Sequence, residues 1–459
     1  MDLLLSHGYF LGLDEVEQRV MRPHPPLGLL YLSSFLKSRG VDVQVFDSTF
    51  RSLDEFASTI STTRPPVVGL AANLMTKRNV LRMMAIARAG GARVVIGGPD
   101  PPHHAEAYLD AGADVVVVGE GEQTLEELLP RLALGRDLSS VNGIAYKAAD
   151  GSVVRTPARA LLPDLDALPN PDRDAIDMSA YLAAWRARHG VGTVSLITAR
   201  GCPYTCTWCS RSVFGETHRR RSIGHVADEV EGIADRYHPE RLWYADDVFA
   251  IHRSWTIGYA KELERRRIRL PFECISRAER IDDDVAAALA SLGCFRVWIG
   301  SESGSQRVLD AMKRKVRVEQ VHEAADRLRR HGIEVGMFIM LGYDGEEMSD
   351  LQATVAHLKR TAPDVLLTTV SYPIKGTPYY AQVADRLGPH SWADQTDRDL
   401  VVRGRPSRRY FDFARRWMVA EVDADRYKRQ RRYARAARAA SSALVGRIGM
   451  AVTANWRES

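Results

Sequence analysis

The chain has 459 residues, 45% of them hydrophobic and 26% charged, with a formal net charge of +5. That apolar share excludes a mainly disordered chain, and at ~150 residues per domain the length suggests several domains or one large barrel with attachments. So mild a charge gives no sign of a nucleic-acid partner.

No apolar run reaches the ~18–20 residues of a membrane-spanning helix, and no charged-then-apolar leader opens the sequence. The expectation is a soluble, cytoplasmic protein. In chain order, strand-like runs at 3–5, 41–46, 67–70, 93–96 and 114–118 alternate with helical periodicity, as at 28–37 and 78–89. Gly40 and Gly90-Gly91 act as helix stops. This alternation predicts a doubly wound, Rossmann-like parallel sheet with ligands at the carboxyl ends of its strands. Next comes a connector with a hairpin at 142–155, turning at Asp150-Gly151, and a proline- and acid-rich stretch at 157–171.

A second alternation has strands at 193–199, 241–245, 271–276, 295–301, 335–341 and 365–372. Six strand–helix units fall short of the closed eight, so the reading is a partial (β/α)6 barrel of TIM type, with chemistry at the loops after the strands. The last segment looks helical and basic: from Val401 onward there are fifteen Lys or Arg against five Asp or Glu. The expected domains are 1–140, 141–190 (connector), 191–387 (barrel) and 388–459 (helical basic region).

Five cysteines, an odd number, argue against a disulfide framework. Three sit in the string Thr198-Ala-Arg-Gly-Cys202-Pro-Tyr-Thr-Cys206-Thr-Trp-Cys209, just after the first barrel strand. Three thiolates at this spacing can grip one face of a cubane iron–sulfur cluster and leave one iron open to a substrate atom. A structural zinc site is the alternative, but it would want a fourth ligand. Cys274 and Cys294 lack nearby companions and read as core residues, or else as remote ligands of a second cluster.

The string resembles the CxxxCxxC signature of the radical S-adenosylmethionine superfamily, including Trp208 before the last cysteine. By that resemblance Cys202, Cys206 and Cys209 hold a 4Fe–4S cluster whose open iron chelates S-adenosylmethionine, with Tyr204 and Trp208 beside it. Later strand ends carry polar residues suited to such a ligand. Asp246 and Asp247 follow the second strand, where they could meet an ammonium or simply favour a helix N-terminus. Ser276-Arg277 follow the third, and the guanidinium suits a carboxylate. Ser301-Glu302 after the fourth are similar to the family's ribose-binding stretch. Gly342 after the fifth precedes Tyr343-Asp344-Gly345-Glu346, where relatives show Pro-Gly-Glu.

In the first domain, Gly97-Gly98-Pro99 and Gly119-Glu120-Gly121-Glu122 follow successive strands but fit neither GxGxxG nor a P-loop. Together with Pro26-Leu27-Gly28 they look like the cobalamin-binding module of class B radical methylases, a likeness spanning roughly residues 1–385. The histidine-bearing cobalamin pattern, Asp-x-His-x-x-Gly, does not occur. His24, His103 and His104 lie in proline-rich loops of another pattern. The resemblance therefore implies methylcobalamin without a protein histidine ligand, its lower face toward Asn73-Leu74-Met75.

The activity implied is a cobalamin-dependent radical methyltransferase acting on an unactivated carbon of a small molecule, with Tyr9, Tyr372 and Tyr379 as candidate substrate-lining residues. An oxidative cyclase or rearranging enzyme with the same cofactors is the runner-up, and a non-catalytic iron–sulfur or corrinoid carrier the third reading. A flavodoxin- or ferredoxin-type electron donor and a monomeric state are expected. The cationic stretch 426–435 and the short apolar run 443–452 suit a solvated helix, an anion-capturing surface or a membrane-surface contact.

Overall fold

The computed structural model describes residues 1–458. They form two compact units: residues 1–203, 210–243 and 391–396 make the first, and the remaining described residues make the second.

The first unit is built on a seven-stranded sheet. Its strands are Leu3–His7 (β1), Val43–Phe46 (β2), Val67–Ala71 (β3), Arg93–Gly97 (β4), Val115–Val117 (β5), Ile144–Lys147 (β6) and Val153–Arg155 (β7), in the order β2-β1-β3-β4-β5-β6-β7. The first five are parallel, with Leu5 opposite Gly69 and Val68 opposite Val94. Side chains alternate between faces at a period of two. Leu3 and Leu5 enter one core with Leu29, Phe35 and Leu128, while Leu4 enters another with Phe56, Val80 and Met83. Both faces of the sheet are therefore buried, which is why β1 reads as a continuous apolar run.

The hairpin expected as part of a connector instead extends this sheet: β6 and β7 pair antiparallel beyond β5. Gly151, at φ +85°, makes the turn, and Asp150 accepts hydrogen bonds from the Ser152 amide and hydroxyl. The open edge of β5 would otherwise leave a row of backbone groups unpaired. The following acidic stretch returns to helix Leu27–Ser38, where Asp172 accepts from Ser33 and Lys37.

Further along the chain come Thr193–Leu196 (β8), Ala199–Arg200 (β9), Arg219–Arg220 (β10), Arg241–Tyr244 (β11), Phe272–Ser276 (β12), Cys294–Glu302 (β13), Glu334–Leu341 (β14) and Val365–Val370 (β15). A six-stranded sheet runs β15-β14-β13-β12-β11-β8, and β9 pairs antiparallel with β10 in a separate ladder. Strands β12 to β15 are parallel, linked by helices Asp283–Leu292, Val318–Arg330 and Met348–Thr361. Cys274 on β12 and Cys294 on β13 are buried. Burial, then the neighbouring Cys294, push the Cys274 thiol up, as suits a core residue.

The basic C-terminal region is an antiparallel pair of helices, Arg408–Arg429 and Tyr433–Thr453. A Cβ at Gly446 or Gly449 would come within 2.7 Å of Trp417 or 2.3 Å of Phe413, so glycine permits the close packing. No helix among the described residues is long and apolar enough to cross a membrane.

Candidate functional site

The ladder of β9 and β10 closes the base of the loop that carries the three cysteines. Gly201, next to Cys202, sits at φ +87°, and a Cβ there would lie 2.2 Å from the Thr217 carbonyl oxygen. Only glycine fits that position. Cys202 is half-buried in the first unit, whereas Cys206 (buried) and Cys209 (exposed) belong to the second.

Around Cys206 the second unit is tightly organised. The Arg277 guanidinium stands 3.7 Å from the Cys206 sulfur and 3.7 Å above the Tyr204 ring, and Arg280 donates to the Tyr204 hydroxyl at 2.6 Å. Arg277 also bonds Glu279 and the Arg314 carbonyl. It thus supports the thiol loop, where a cation favours the thiolate that binds metal. The Thr207 hydroxyl meets that of Tyr343 at 2.7 Å, and Trp208 packs on the cluster containing Met312, Met340 and Tyr379.

Among the described residues, no three His, Cys, Asp or Glu side chains converge as a ready metal-holding group. The case for a cluster is the donor chemistry. Three soft thiols lie within eight residues of one loop, and the second of them faces a buried cation. That set suits iron–sulfur ligation.

The strand ends of the second unit supply polar groups in sequence. Asp246 is buried and Asp247 exposed. Ser276 and Arg277 are buried at the end of β12. At the end of β13, Ser301 meets His357 Nε2 at 2.8 Å, and His357 Nδ1 meets His322 at 2.9 Å. Glu302 is held at φ +63°, a left-handed conformation that is uncommon outside glycine. It keeps some exposed surface, yet its surroundings crowd it enough that burial pushes its carboxyl up to about 8, with Arg277 opposing.

Gly342, at φ +71°, begins a turn closed by the Glu346 amide on the Tyr343 carbonyl (2.9 Å), with Gly345 at φ +80° inside it. The turn therefore forms without the proline of relatives. Its open side is filled: a Cβ on Gly342 would lie 2.6 Å from the Phe411 ring of the first C-terminal helix.

In the first unit, the neighbouring ends of β3, β4 and β5 bring together Asn73-Leu74-Met75, Gly97-Gly98-Pro99 and Gly119-Glu120-Gly121-Glu122. Asn73 accepts from the Met75 and Thr76 amides, fixing a turn that leaves Met75 exposed. Gly98, at φ +106°, lies where a Cβ would meet the Ala72 carbonyl oxygen at 2.5 Å. Pro26 and Leu27 open the helix that follows, with Gly28 exposed beside them.

The two carboxylates in this set are paired within the protein. Arg200, two residues before Cys202, donates to Glu120 at 2.8 Å and to Glu122 at 2.6 Å. Glu120 also accepts from Arg219 and from the Leu162 amide, each at 2.8 Å. Burial alone would raise the Glu120 carboxyl, but these donors hold it below its usual range. In the sequence Arg200 is a permanent cation directly after the apolar run 193–199, with no sign of its partners.

His24 bonds Ser195 at 2.8 Å, and His104 lies against Trp392 and near Asp100. Of the three tyrosines, Tyr379 is fully buried in a ring stack with Tyr343. Tyr9 and Tyr372 remain partly exposed.

Comparison with known proteins places a B12 binding domain at residues 19–129 and a Radical SAM superfamily domain at residues 196–358. An uncharacterized methyltransferase of Pyrococcus horikoshii is 29% identical over 389 residues, covering 83% of each chain. An anaerobic magnesium-protoporphyrin IX monomethyl ester cyclase of Rubrivivax gelatinosus is 28% identical over 376 residues, covering 79% of this chain and 67% of its own. Among solved structures, the radical S-adenosylmethionine methyltransferase TsrM of Kitasatospora setae superposes with a TM-score of 0.70 at 22% identity, over 83% of this chain and 77% of that one. This last likeness speaks for the fold.

Proposed function

We propose, for a chain that carries both a B12 binding domain and a radical SAM domain and so belongs with the cobalamin-binding radical S-adenosylmethionine enzymes, that it methylates an unactivated carbon of a small molecule. The observation that carries the reading is the thiol loop, tied through Arg200 to the Glu120–Glu122 loop at the strand tips of the B12 module.

In this reading Cys202, Cys206 and Cys209 hold a 4Fe–4S cluster, and Asp246, Ser276 and Glu302 face S-adenosylmethionine. The glycine-bearing tips of β3 to β5 hold the corrin, without a histidine ligand from the protein. When bound, these cofactors supply one-electron cleavage of a sulfonium and transfer of a methyl group. The chain's own contribution is positional. Arg277 orients the Tyr204–Cys206 segment, Gly201 lets the loop turn, and Arg314 fixes the Gly300 carbonyl behind Glu302 through two hydrogen bonds. We read the six-stranded sheet as a partial (β/α)6 barrel within residues 191–387, after a cobalamin domain at 1–140, with a small-molecule substrate, an external electron donor and a reducing cytoplasm.

The near-equal identity of a methyltransferase and a cyclase supports keeping a second reading, oxidative cyclisation with the same cofactors. Anaerobic reconstitution with iron, sulfide and methylcobalamin, followed by product analysis, separates the two. Methyl transfer yields 5′-deoxyadenosine together with S-adenosylhomocysteine, whereas the nucleoside alone, with turnover of substrate, assigns the cyclase. Failure to cleave S-adenosylmethionine under strong reductant overturns both.

A further inference from the structure

Helix Tyr433–Thr453 buries a narrow face of Ala436, Ala443, Gly446, Gly449 and Met450 against its partner helix. The opposite face is apolar and open. Leu444, Ile448 and Val452 are 59%, 55% and 65% exposed, at a four-residue spacing, with Val445 beside them at 43%; Trp456, 46% exposed, lies just beyond the end of the helix with the Arg409 guanidinium over its ring. Tyr433, 69% exposed, lies at the far end of the same helix. At 3.6 residues per turn, Arg447 falls about 60° to one side of Leu444 and Arg438 about 120° to the other. The apolar stripe therefore has an arginine on each margin and an aromatic ring toward each end.

The charge around it has one sign. The helix contains no Asp or Glu. Acidic groups of the neighbouring helix are already engaged: Asp412 with Arg415, Asp423 with Arg426, Asp425 with Arg429 and Glu421 with Lys359. Arg409, Arg416, Arg435, Arg438 and Arg447 form no ion pair among the described residues. A second copy docking on this face would set like charges against each other. An anionic bilayer surface matches every element: the stripe enters the headgroup boundary, the rings settle at the interface, and the arginines reach phosphates along their own stems.

From this arrangement we infer that the C-terminal helical hairpin docks the protein on anionic phospholipid membranes. It is a peripheral contact, independent of the reaction assigned above. Each arginine near such a surface changes affinity about fivefold, an effect that salt screens.

The test is flotation of the full chain with vesicles of phosphatidylcholine containing about one third phosphatidylglycerol, against phosphatidylcholine alone. The expected result is binding to the anionic vesicles only, weakened by salt. I448D/V452D, which alters solvent-facing side chains and should keep the thermal midpoint, loses at least about tenfold in affinity. R438Q/R447Q, a second variant outside the core, loses a similar factor. Equal binding to both vesicle types, no binding, or undiminished binding by both variants overturns the inference. So does a concentration-dependent dimer that I448D/V452D abolishes without any vesicle binding, which would give the face to a second copy.

Discussion

Replacing Arg200 by methionine tests how the two glycine- and cysteine-bearing loops are held. The Arg200 side chain is 7% exposed and its partners Glu120 and Glu122 are 5% and 4% exposed, so the group is a buried network. In R200M, Glu120 keeps Arg219 and the Leu162 amide, but the Glu122 carboxylate is left buried without a cation. Stranding one charge in this way costs about 3–5 kcal/mol, whereas removing both charges costs much less. R200M should therefore unfold at a markedly lower urea concentration at neutral pH, and R200M/E122Q should regain at least about 2 kcal/mol. Iron bound after reconstitution should fall in R200M, because Gly201 and Cys202 continue directly from the displaced residue. A loss below about 1 kcal/mol, or a double variant no more stable than R200M, would refute the network's role.

Alanine at Cys206 should abolish the iron–sulfur absorption bands while corrin bands persist, as read by anaerobic spectra with methylcobalamin. Gly98→Ala should do the reverse: its Cβ would press the Ala72 carbonyl at 2.5 Å, so corrin affinity should fall about tenfold with iron content unchanged. Glu302 gives a pH signature. Its carboxyl ionises at about 8 in the folded chain against an ordinary 4.5, so the folded state retains a proton that the unfolded chain releases. Stability must then fall as pH rises from 4.5 to 8, by about 2–4 kcal/mol after screening. E302Q lacks this decline, and urea titrations at both ends of the window that gave parallel pH slopes for the two proteins would remove the argument.

What the sequence determined by itself is what local chemistry encodes. The run Leu3-Leu4-Leu5 announces a strand buried on both faces, and the spacing of Cys202, Cys206 and Cys209 announces a metal-binding loop. Each of these signals is carried by neighbours along the chain, through a strand period or the spacing of donor residues. Only the tertiary structure decided the rest. Glu120 and Glu122, part of a glycine-bearing loop that resembles a cobalamin module, find their cation at Arg200, some eighty residues away. The hairpin that read as a connector completes an open sheet edge, Phe411 occupies the space left by Gly342, and Tyr379 is enclosed by Tyr343. Such pairings depend on which loops meet after the chain has closed over long spans. A buried charge takes whichever counter-ion that closure brings to it, and no periodicity in the sequence records which one.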